Sequence, residues 1–327
     1  PRQLHIQSKE KLDLYYENAN IIRCSFFEDL EDKRIDENEI LFFNWESINR
    51  KEGINIYIRE NEQEKYLSKV LDNTRDEQRK IILIIDESHF STDTENAENL
   101  KELFNPELTI EVSATPAFID PDGTVSIDID DVKAEGMIKK SVILNENFNN
   151  FIVNGKIQSE FITNTDELVI EAALKKQQEL REYFNKENTR INPLIVIQLP
   201  PRIRQEHEDL KNNIIALLND KYNINTENGK LGIYLAEEHS NIENISKNND
   251  ETVVLLFKQG IALGWDCPRA QILVLFREWH SEVFSVQTIG RIMRMPEPDK
   301  GHYANDILNH AYVYTNLNNI HLQDDIA

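Results

Sequence analysis

The chain has 327 residues, of which 40% are hydrophobic and 29% are charged, a globular profile. Its length allows two ordinary domains of about 150 residues each, and no apolar stretch approaches the roughly 20 residues of a membrane helix. The net charge of −22 opposes non-specific nucleic-acid binding, although a basic cleft can exist on an acidic body. Cys24 and Cys267 have no companions, so neither a disulfide framework nor a zinc site is expected. Together with the lack of a signal-peptide pattern, this favours the cytoplasm.

Short apolar runs alternate with longer amphipathic stretches along the chain, a pattern typical of βαβ units and parallel sheets. After strand-like opening material, the first half predicts strands at 21–27, 40–43, 81–85 and 108–112, and helices at 62–72 and 96–104. The second half predicts helices at 166–184, 206–220 and 283–295, and strands at 194–199, 231–235, 253–257, 272–276 and 311–315.

The stretch between the two halves is less regular. Residues 120–135 are acidic and rich in turn signals, and residues 145–162 are rich in Asn and weakly patterned. We therefore predict a first domain over 1–135, a crossing segment over 136–162 and a second domain over 163–327. The expected fold class is α/β, with parallel sheets flanked by helices.

The segment IILIIDESHF, residues 81–90, is the most informative in the chain. An unbroken apolar run predicts a buried parallel strand, and open α/β sheets bind ligands at the carboxyl ends of their strands. Asp86 and Glu87, followed by Ser88 and His89, begin at that end. Such a pair can hold Mg²⁺ beside a nucleotide and orient a water for attack on the γ-phosphate. A solvated turn or a helix N-cap is the alternative.

Three further segments follow predicted strands or lie on a predicted helix. Ser113-Ala114-Thr115-Pro116 places two small hydroxyls at a strand end, where they can hydrogen-bond to neighbouring carboxylates or form a simple turn. In residues 258–269, KQGIALGWDCPR, glycines allow close backbone approach to a ligand, or form turns, and Asp266 can accept from a ribose hydroxyl or an arginine.

The last of these segments is QTIGRIMR, residues 287–294. On a helix Gln287, Arg291 and Arg294 fall at i, i+4 and i+7 and point the same way, while the apolar Ile289, Ile292 and Met293 face elsewhere. Two guanidiniums on one face suit the stabilisation of a γ-phosphate during phosphoryl transfer. An exposed basic face is the alternative.

Taken together, DESH, SATP, QGIALGWDCPRA and QTIGRIMR resemble motifs II, III, V and VI of superfamily 2 helicases and translocases. Within that superfamily, GWDCPRA and QTIGRIMRMP resemble the Res subunit of type III restriction enzymes, as do FNW, GMIKK and IQLPP at residues 43–45, 136–140 and 197–201. The resemblance extends from about residue 20 to about residue 320.

This resemblance implies two RecA-like domains with ATP and Mg²⁺ bound between them. Asp86 would hold Mg²⁺ through water, Glu87 would polarise the attacking water, and His89 completes the DESH motif on the nucleotide side. Ser113 and Thr115 would couple hydrolysis to DNA movement.

In the second domain the resemblance places Gly264 and Asp266 on the nucleotide side, and Gln287, Arg291 and Arg294 at the γ-phosphate. Asn44 and Trp45 occupy a region that faces nucleic acid in such motors. The partners implied are double-stranded DNA and a methyltransferase (Mod) subunit that supplies sequence recognition.

Two departures from the family pattern matter. The sequence contains no G-x-x-x-x-G-K-[ST] phosphate loop, and the carboxylate-and-lysine nuclease domain of this family does not follow the last predicted strand. Because Pro1 is not an initiator methionine, we expect an internal portion of a larger polypeptide, inactive by itself. The alternatives are a type I restriction motor or other DExH helicase, and a non-catalytic DNA-binding scaffold with a degenerate motor fold.

Overall fold

The computed structural model of the chain describes residues 4–17, 19, 21–44, 48, 66–86, 88, 95–113, 121–146, 152–153, 156–157, 165–200, 205–236, 238–258, 266–276 and 288–316. The chain divides into two compact units, Pro1–Thr124 and Val125–Ala327. The sequence predicts the end of the first domain at residue 135, the last residue of the acidic stretch 120–135.

The described part of the first unit contains two separate pairs of parallel strands and three helices. Its strands are β1 (Arg23–Phe26), β2 (Glu39–Phe42), β3 (Ile82–Asp86) and β4 (Leu108–Val112). Its helices are α1 (Leu4–Tyr16), α2 (Leu67–Asp76) and α3 (Glu95–Phe104). β1 pairs with β2, and β3 pairs with β4.

A small apolar core holds this unit together. The apolar stripe of α2 supplies Leu67, Val70 and Leu71, and α3 supplies Leu100 and Phe104. Every one of these side chains is less than 6% exposed. Burial at i, i+3 and i+4 along α2 is the pattern of an amphipathic helix packed on a core.

Helix α1 corrects the expectation of strand-like material at the start of the chain. Its sequence, LHIQSKEKLDLYY, is rich in residues with good helix propensity, and no strict alternation of apolar residues favours a strand. Lys9 Nζ contacts Asp13 Oδ2 at 2.6 Å, an i,i+4 ion pair of the kind that supports a helix. The structure places the first strand at β1 instead.

The second unit is built around a seven-stranded sheet with the order β10-β9-β11-β8-β12-β13-β5. All neighbouring strands are parallel except β9 and β10. The strands of this sheet are β5 (Ser141–Leu144), β8 (Leu194–Gln198), β9 (Leu231–Tyr234), β10 (His239–Ser240), β11 (Val254–Phe257), β12 (Ala270–Leu275) and β13 (His310–Thr315). A separate antiparallel pair is formed by β6 (Ile152–Val153) and β7 (Lys156–Ile157).

Both faces of this sheet are covered. Helices α5 (Thr165–Lys186) and α6 (Gln205–Tyr222) belong to the core on one face, where they meet Ile272 and Val274 of β12. On the other face, Leu273 and Leu275 pack against apolar residues of the helical segment 288–292. Every residue of β12 is buried, which explains its continuous apolar sequence.

The structure confirms the α/β class with mostly parallel sheets. Several short elements, β6 and β7 among them, lie in the less regular stretch between the two halves. The short helix α4 (Ile129–Ala134) begins at Asp128, whose carboxylate accepts from the Asp130 amide at 2.8 Å, so the acidic residues cap a helix as well as form turns. Strand β5, from the segment predicted to cross between domains, pairs with β13.

Candidate functional site

The strands β3 and β4 bring the first group of predicted residues to one edge. Their parallel register places Asp86 opposite Val112, so both strands end together. The Ser88 amide donates to the Val112 carbonyl oxygen at 3.1 Å, and Ser113 follows β4 directly. Ser88 is 2% exposed, whereas Asp86 is exposed. The edge therefore presents a carboxylate to solvent beside a buried hydroxyl residue.

Several predicted site residues lie outside the part of the chain that the structure describes. They are Glu87, His89, Thr115, Gly264 and Gln287, together with Trp45. Their proposed roles stay predictions. Within the described residues there is no cluster of three or more His, Cys, Asp or Glu side chains with the geometry of a metal site. None of the described helices is long and apolar enough to cross a membrane.

In the second unit, an ion pair joins two of the predicted residues. Arg294 Nη1 lies 2.5 Å from Asp266 Oδ1, with the arginine side chain 44% exposed and the aspartate side chain 25% exposed. The two residues are 28 positions apart in sequence. The structure thus brings together residues of two segments, 258–269 and 287–294, that the sequence indicated separately.

The helical segment 288–292 and the two residues after it carry both arginines; we call residues 288–294 the arginine segment. Ile289, Ile292 and Met293 are at most 3% exposed and pack against the sheet, as helical spacing predicts. Arg291 is half-buried and Arg294 lies just beyond the last helical residue. The apolar side chains fix the segment to the sheet, while Arg291 and Arg294 remain partly accessible.

Sequence reasoning assigned no role to Arg269, which anchors the segment that carries Asp266. Its side chain is completely buried, and the guanidinium donates to the carbonyl oxygens of Ile245 (2.7 Å), Asn192 (2.8 Å) and Thr252 (2.9 Å). It also contacts Asp250 Oδ1 at 3.1 Å. Burial lowers the pKa of this guanidinium, which stays charged because its ordinary pKa is above 12. The network fixes the chain just before β12, and Asp266 lies four residues before the first residue of that strand.

Lys139 is the second residue that the sequence did not single out. Its side chain is fully buried, and its Nζ donates to the carbonyl oxygens of Ile292, at 2.8 Å, and of Arg294. Its backbone amide donates to the Met293 carbonyl at 2.7 Å. Burial lowers the pKa of the Lys139 ammonium to about 7. The only signal in the sequence is the GMIKK stretch, in which the burial of one lysine is not visible.

Gly136 explains how the chain turns toward the arginine segment after α4. Its φ of +69° is in the left-handed region, and a Cβ there would lie 2.7 Å from the Gly301 Cα. Only glycine fits a position with both restrictions. Immediately afterwards, Ile138 forms an antiparallel bridge with Arg294. The turn at Gly136 therefore brings Lys139 into contact with the end of the arginine segment.

Comparison with known proteins adds a family match and a fold match. The family described as "Type III restriction enzyme, res subunit" matches residues 2–118, essentially the first unit. No curated protein gives a significant match to the sequence. This chain is similar in structure to the DUF1998 helicase MrfA, crystallised with DNA and AMPPNP, at a TM-score of 0.51 and 14% identity, over 96% of this chain and 40% of MrfA.

Two further solved structures are similar at lower scores. One is a fragment of a type I restriction enzyme HsdR subunit from Vibrio vulnificus YJ016 (TM-score 0.44, 17% identity, 93% of this chain and 51% of that chain). The other is S. cerevisiae Dbp5 with RNA and ADP BeF3 (TM-score 0.46, 11% identity, 96% and 68%). The match to MrfA, at this level of identity, shows the fold alone, which is the α/β fold of that helicase.

Proposed function

We propose that this chain is the motor portion of an ATP-dependent type III restriction endonuclease, in which ATP hydrolysis drives movement on double-stranded DNA. The observation that carries the proposal is the shared strand edge of the first unit. There the parallel register of β3 and β4 puts Asp86 level with Val112, with Ser88 and Ser113 adjacent. The family match over residues 2–118 supports the type III assignment.

In this proposal the carboxylates of the first unit act on the metal and the water. Asp86 is exposed at the carboxyl end of its strand, where a solvated Mg²⁺ can be held through water. Glu87 would polarise the attacking water. Ser113 and Thr115 would sense the γ-phosphate and couple its loss to movement on DNA.

The arginines of the second unit would stabilise the charge that develops on the γ-phosphate. Arg294, held by Asp266 and 44% exposed, keeps donors available to a ligand, since only its Nη1 is used in the ion pair. Arg291 would act beside it, with Gln287. Gly264 and Asp266 would line the nucleotide. Charge stabilisation of this kind accounts for about 10³–10⁵ in the rate of phosphoryl transfer.

The residues present fit one part of an ATP site and leave another part unfilled. In the first unit an exposed carboxylate suits Mg²⁺, and in the second unit two arginines suit the γ-phosphate. Bound Mg·ATP would supply a leaving group whose developing charge the metal neutralises. The 327 residues contain no G-x-x-x-x-G-K-[ST] loop to cradle the phosphates. In our proposal that loop comes from residues outside this sequence, as does the nuclease domain, and a methyltransferase subunit reads the DNA sequence.

The test measures ATP hydrolysis with and without double-stranded DNA, on the 327-residue chain and on the complete polypeptide that its gene encodes. We expect negligible turnover by the chain and DNA-stimulated turnover by the complete polypeptide. Arg294→Ala or Glu87→Gln should reduce the latter by about 10³-fold or more. Arg190→Ala, which changes an exposed arginine of the same unit, is the matched control.

Normal turnover in Arg294→Ala would contradict the proposal, and rapid hydrolysis by the 327-residue chain would contradict the need for a phosphate loop. The net charge of −22 and the absence of that loop favour one other function, a non-catalytic DNA-binding scaffold with a degenerate motor fold. A complete polypeptide that binds DNA and hydrolyses no ATP would establish that alternative. The sequence downstream of this chain in the complete polypeptide, together with whether a methyltransferase co-purifies, would distinguish a type I motor or another DExH helicase.

A further inference from the structure

Lys139 occupies an unusual position for a lysine in the second unit. Its side chain is 0% exposed, and its Nζ donates to the Ile292 carbonyl at 2.8 Å and to the Arg294 carbonyl. Both acceptors belong to the arginine segment, 153 and 155 residues away in sequence. The ammonium therefore bonds to the backbone of the residue whose guanidinium pairs with Asp266.

The surroundings of the ammonium identify what holds it there. The last carbonyls of a helix have no partner within the helix and carry partial negative charge. Helical residues end at 292, and the Lys139 ammonium meets the carbonyls of 292 and 294 just at that end. Among the described residues no carboxylate forms an ion pair with Lys139, so the backbone carbonyls are the acceptors that meet its ammonium. A lysine that served only as packing would leave this desolvated charge uncompensated.

Two backbone hydrogen bonds, which together form the bridge between Ile138 and Arg294, tie the chain around Lys139 to the arginine segment and to the residue after it. The Lys139 amide donates to the Met293 carbonyl at 2.7 Å, and the Met295 amide donates to the Met137 carbonyl at 3.4 Å. Cys267, which adjoins Asp266, is 1% exposed and packs in the same core as Ile292 and Met293. Lys139 therefore lies where the backbone that carries Asp266 and the backbone that carries Arg294 meet.

We propose that Lys139 is a positioning residue, which fixes the end of the arginine segment so that the Arg294 guanidinium is held at Asp266 and presented to the phosphate. The phosphate part of this inference rests on the proposed function. The part that concerns Arg294 and Asp266 does not, because it is a statement about the geometry of the second unit alone. Without the ammonium, the carbonyls of Ile292 and Arg294 lose their donor, and the two residues that follow the helix are released.

The experiment uses Lys139→Met, which keeps the length and apolar body of the side chain and removes its donors. Lys139→Gln is a milder second variant with an uncharged N–H donor. The matched control is Lys176→Met in the same unit; Lys176 is 5% exposed, but its ammonium pairs with Glu146 and Glu179, away from the arginine segment. Two readouts are recorded on the 327-residue chain without nucleotide.

The first readout is the ¹⁵N-arginine side-chain NMR signal of Arg294, assigned with Arg294→Lys and compared with Asp266→Asn. We expect Lys139→Met to move this signal toward its position in Asp266→Asn, and Lys176→Met to leave it in place. The second readout is hydrogen exchange of the Met293 and Met295 amides. Lys139→Met should accelerate the exchange of these two amides at least ten times more than it accelerates exchange of the β8 and β12 amides. Lys139→Gln should give an acceleration between those of the unchanged chain and Lys139→Met.

An unchanged Arg294 signal in folded Lys139→Met, or exchange that accelerates uniformly as in Lys176→Met, would overturn the proposal. Global unfolding of both Lys139 variants would overturn it as well, because the lysine would then support the whole unit rather than the arginine. In the complete polypeptide we expect Lys139→Met to lower kcat at least tenfold and leave the KM for ATP within twofold. A changed Arg294 signal in a polypeptide that hydrolyses no ATP would support the positioning role and reject the proposed function.

Discussion

The β3–β4 pair of the first unit and the seven-stranded sheet of the second unit are made of the same kind of apolar strand, but they are covered differently. In the pair, Ile82, Ile84, Leu108, Ile110 and Val112 are 41–60% exposed, all on one face. In the larger sheet every residue of β8, β11 and β12 is buried. Parallel sheets normally have both faces covered.

The difference shows which of the candidate residues lie on a well-supported framework. Asp266 and Arg294 are attached to a sheet with a core on each face and to a buried polar network. Asp86 ends a strand of which one face packs, through Ile85, and the other face carries exposed isoleucines. We therefore expect the second unit to be the more stable of the two. Substitutions in the two units should differ in their effect on the free energy of unfolding.

Arg269→Met should have the largest effect, and only on the second unit. The substitution removes the guanidinium donors to the carbonyls of Ile245, Asn192 and Thr252 and removes the ion pair with Asp250. Removing one partner of a buried charged network costs about 3–5 kcal/mol. Urea unfolding followed by hydrogen exchange should show this loss in β8 and β12 and little change in β3. Arg190→Met, at an exposed site, is the control; equal stability of both variants would contradict the prediction.

A matched pair of isoleucines compares the two sheets directly. Ile272 of β12 is 0% exposed and Ile84 of β3 is 60% exposed. Truncating a buried isoleucine to alanine costs about 2–5 kcal/mol, whereas an exposed one should cost under about 1 kcal/mol because little apolar surface leaves water on folding. The free energies of unfolding of Ile272→Ala and Ile84→Ala, measured on the same chain, check this. A cost as large for Ile84→Ala as for Ile272→Ala would mean that the exposed face is covered in solution.

These two sheets also show how far the sequence could predict the molecule. The buried strands of the second unit were predicted within one or two residues, because a strand covered on both faces is apolar throughout. Helix α1 was not predicted, because its apolar residues follow no clear period. Lys139 and Arg269 could not be recognised as buried, since their partners lie up to 155 residues away and a lysine or arginine is usually exposed.

The pairing of Asp266 with Arg294 is an intermediate case. The sequence selected both residues, each from its own segment, and gave Asp266 a ribose hydroxyl or an arginine as partner. The structure joins them at 2.5 Å. Which arginine would pair could not be read from helical spacing, because the helix ends before Arg294 and the path of the following residues depends on a bridge to Ile138.

The free energy of unfolding of the second unit should depend on pH through Lys139, with a smaller effect than the substitutions above. Burial lowers the folded-state pKa of Lys139 from 10.5 to about 7, so between these values the unfolded chain binds more protons and stability rises with pH. Between pH 7 and 9 the rise should reach about 2 kcal/mol in the second unit. Burial raises the pKa of the Cys267 thiol to about 11. Above pH 9 this group has the opposite effect, because the unfolded chain then binds fewer protons and the stability of the second unit falls with pH.

The measurement is the difference in urea midpoint between the unchanged chain and Lys139→Met at pH 7, 8 and 9, with β3 amides as the internal reference. The urea midpoint of the unchanged chain should rise with pH relative to the midpoint of Lys139→Met, because only the chain that keeps Lys139 gains stability. Parallel pH profiles of the two proteins would show that the ammonium is not desolvated in the folded state, which would also weaken its proposed role at the arginine segment.

Asp266→Asn should have the smallest effect on stability and a large one on turnover. Both side chains of the Asp266–Arg294 pair are partly exposed, and ion pairs of this kind contribute about 0–1 kcal/mol. The free energy of unfolding should therefore fall by less than that, whereas ATP hydrolysis by the complete polypeptide should fall at least tenfold because Arg294 is no longer directed. If stability and turnover instead fall in proportion, the pair supports the fold of the second unit. A loss of turnover much larger than the loss of stability would mean that this partly exposed pair serves the phosphate chemistry.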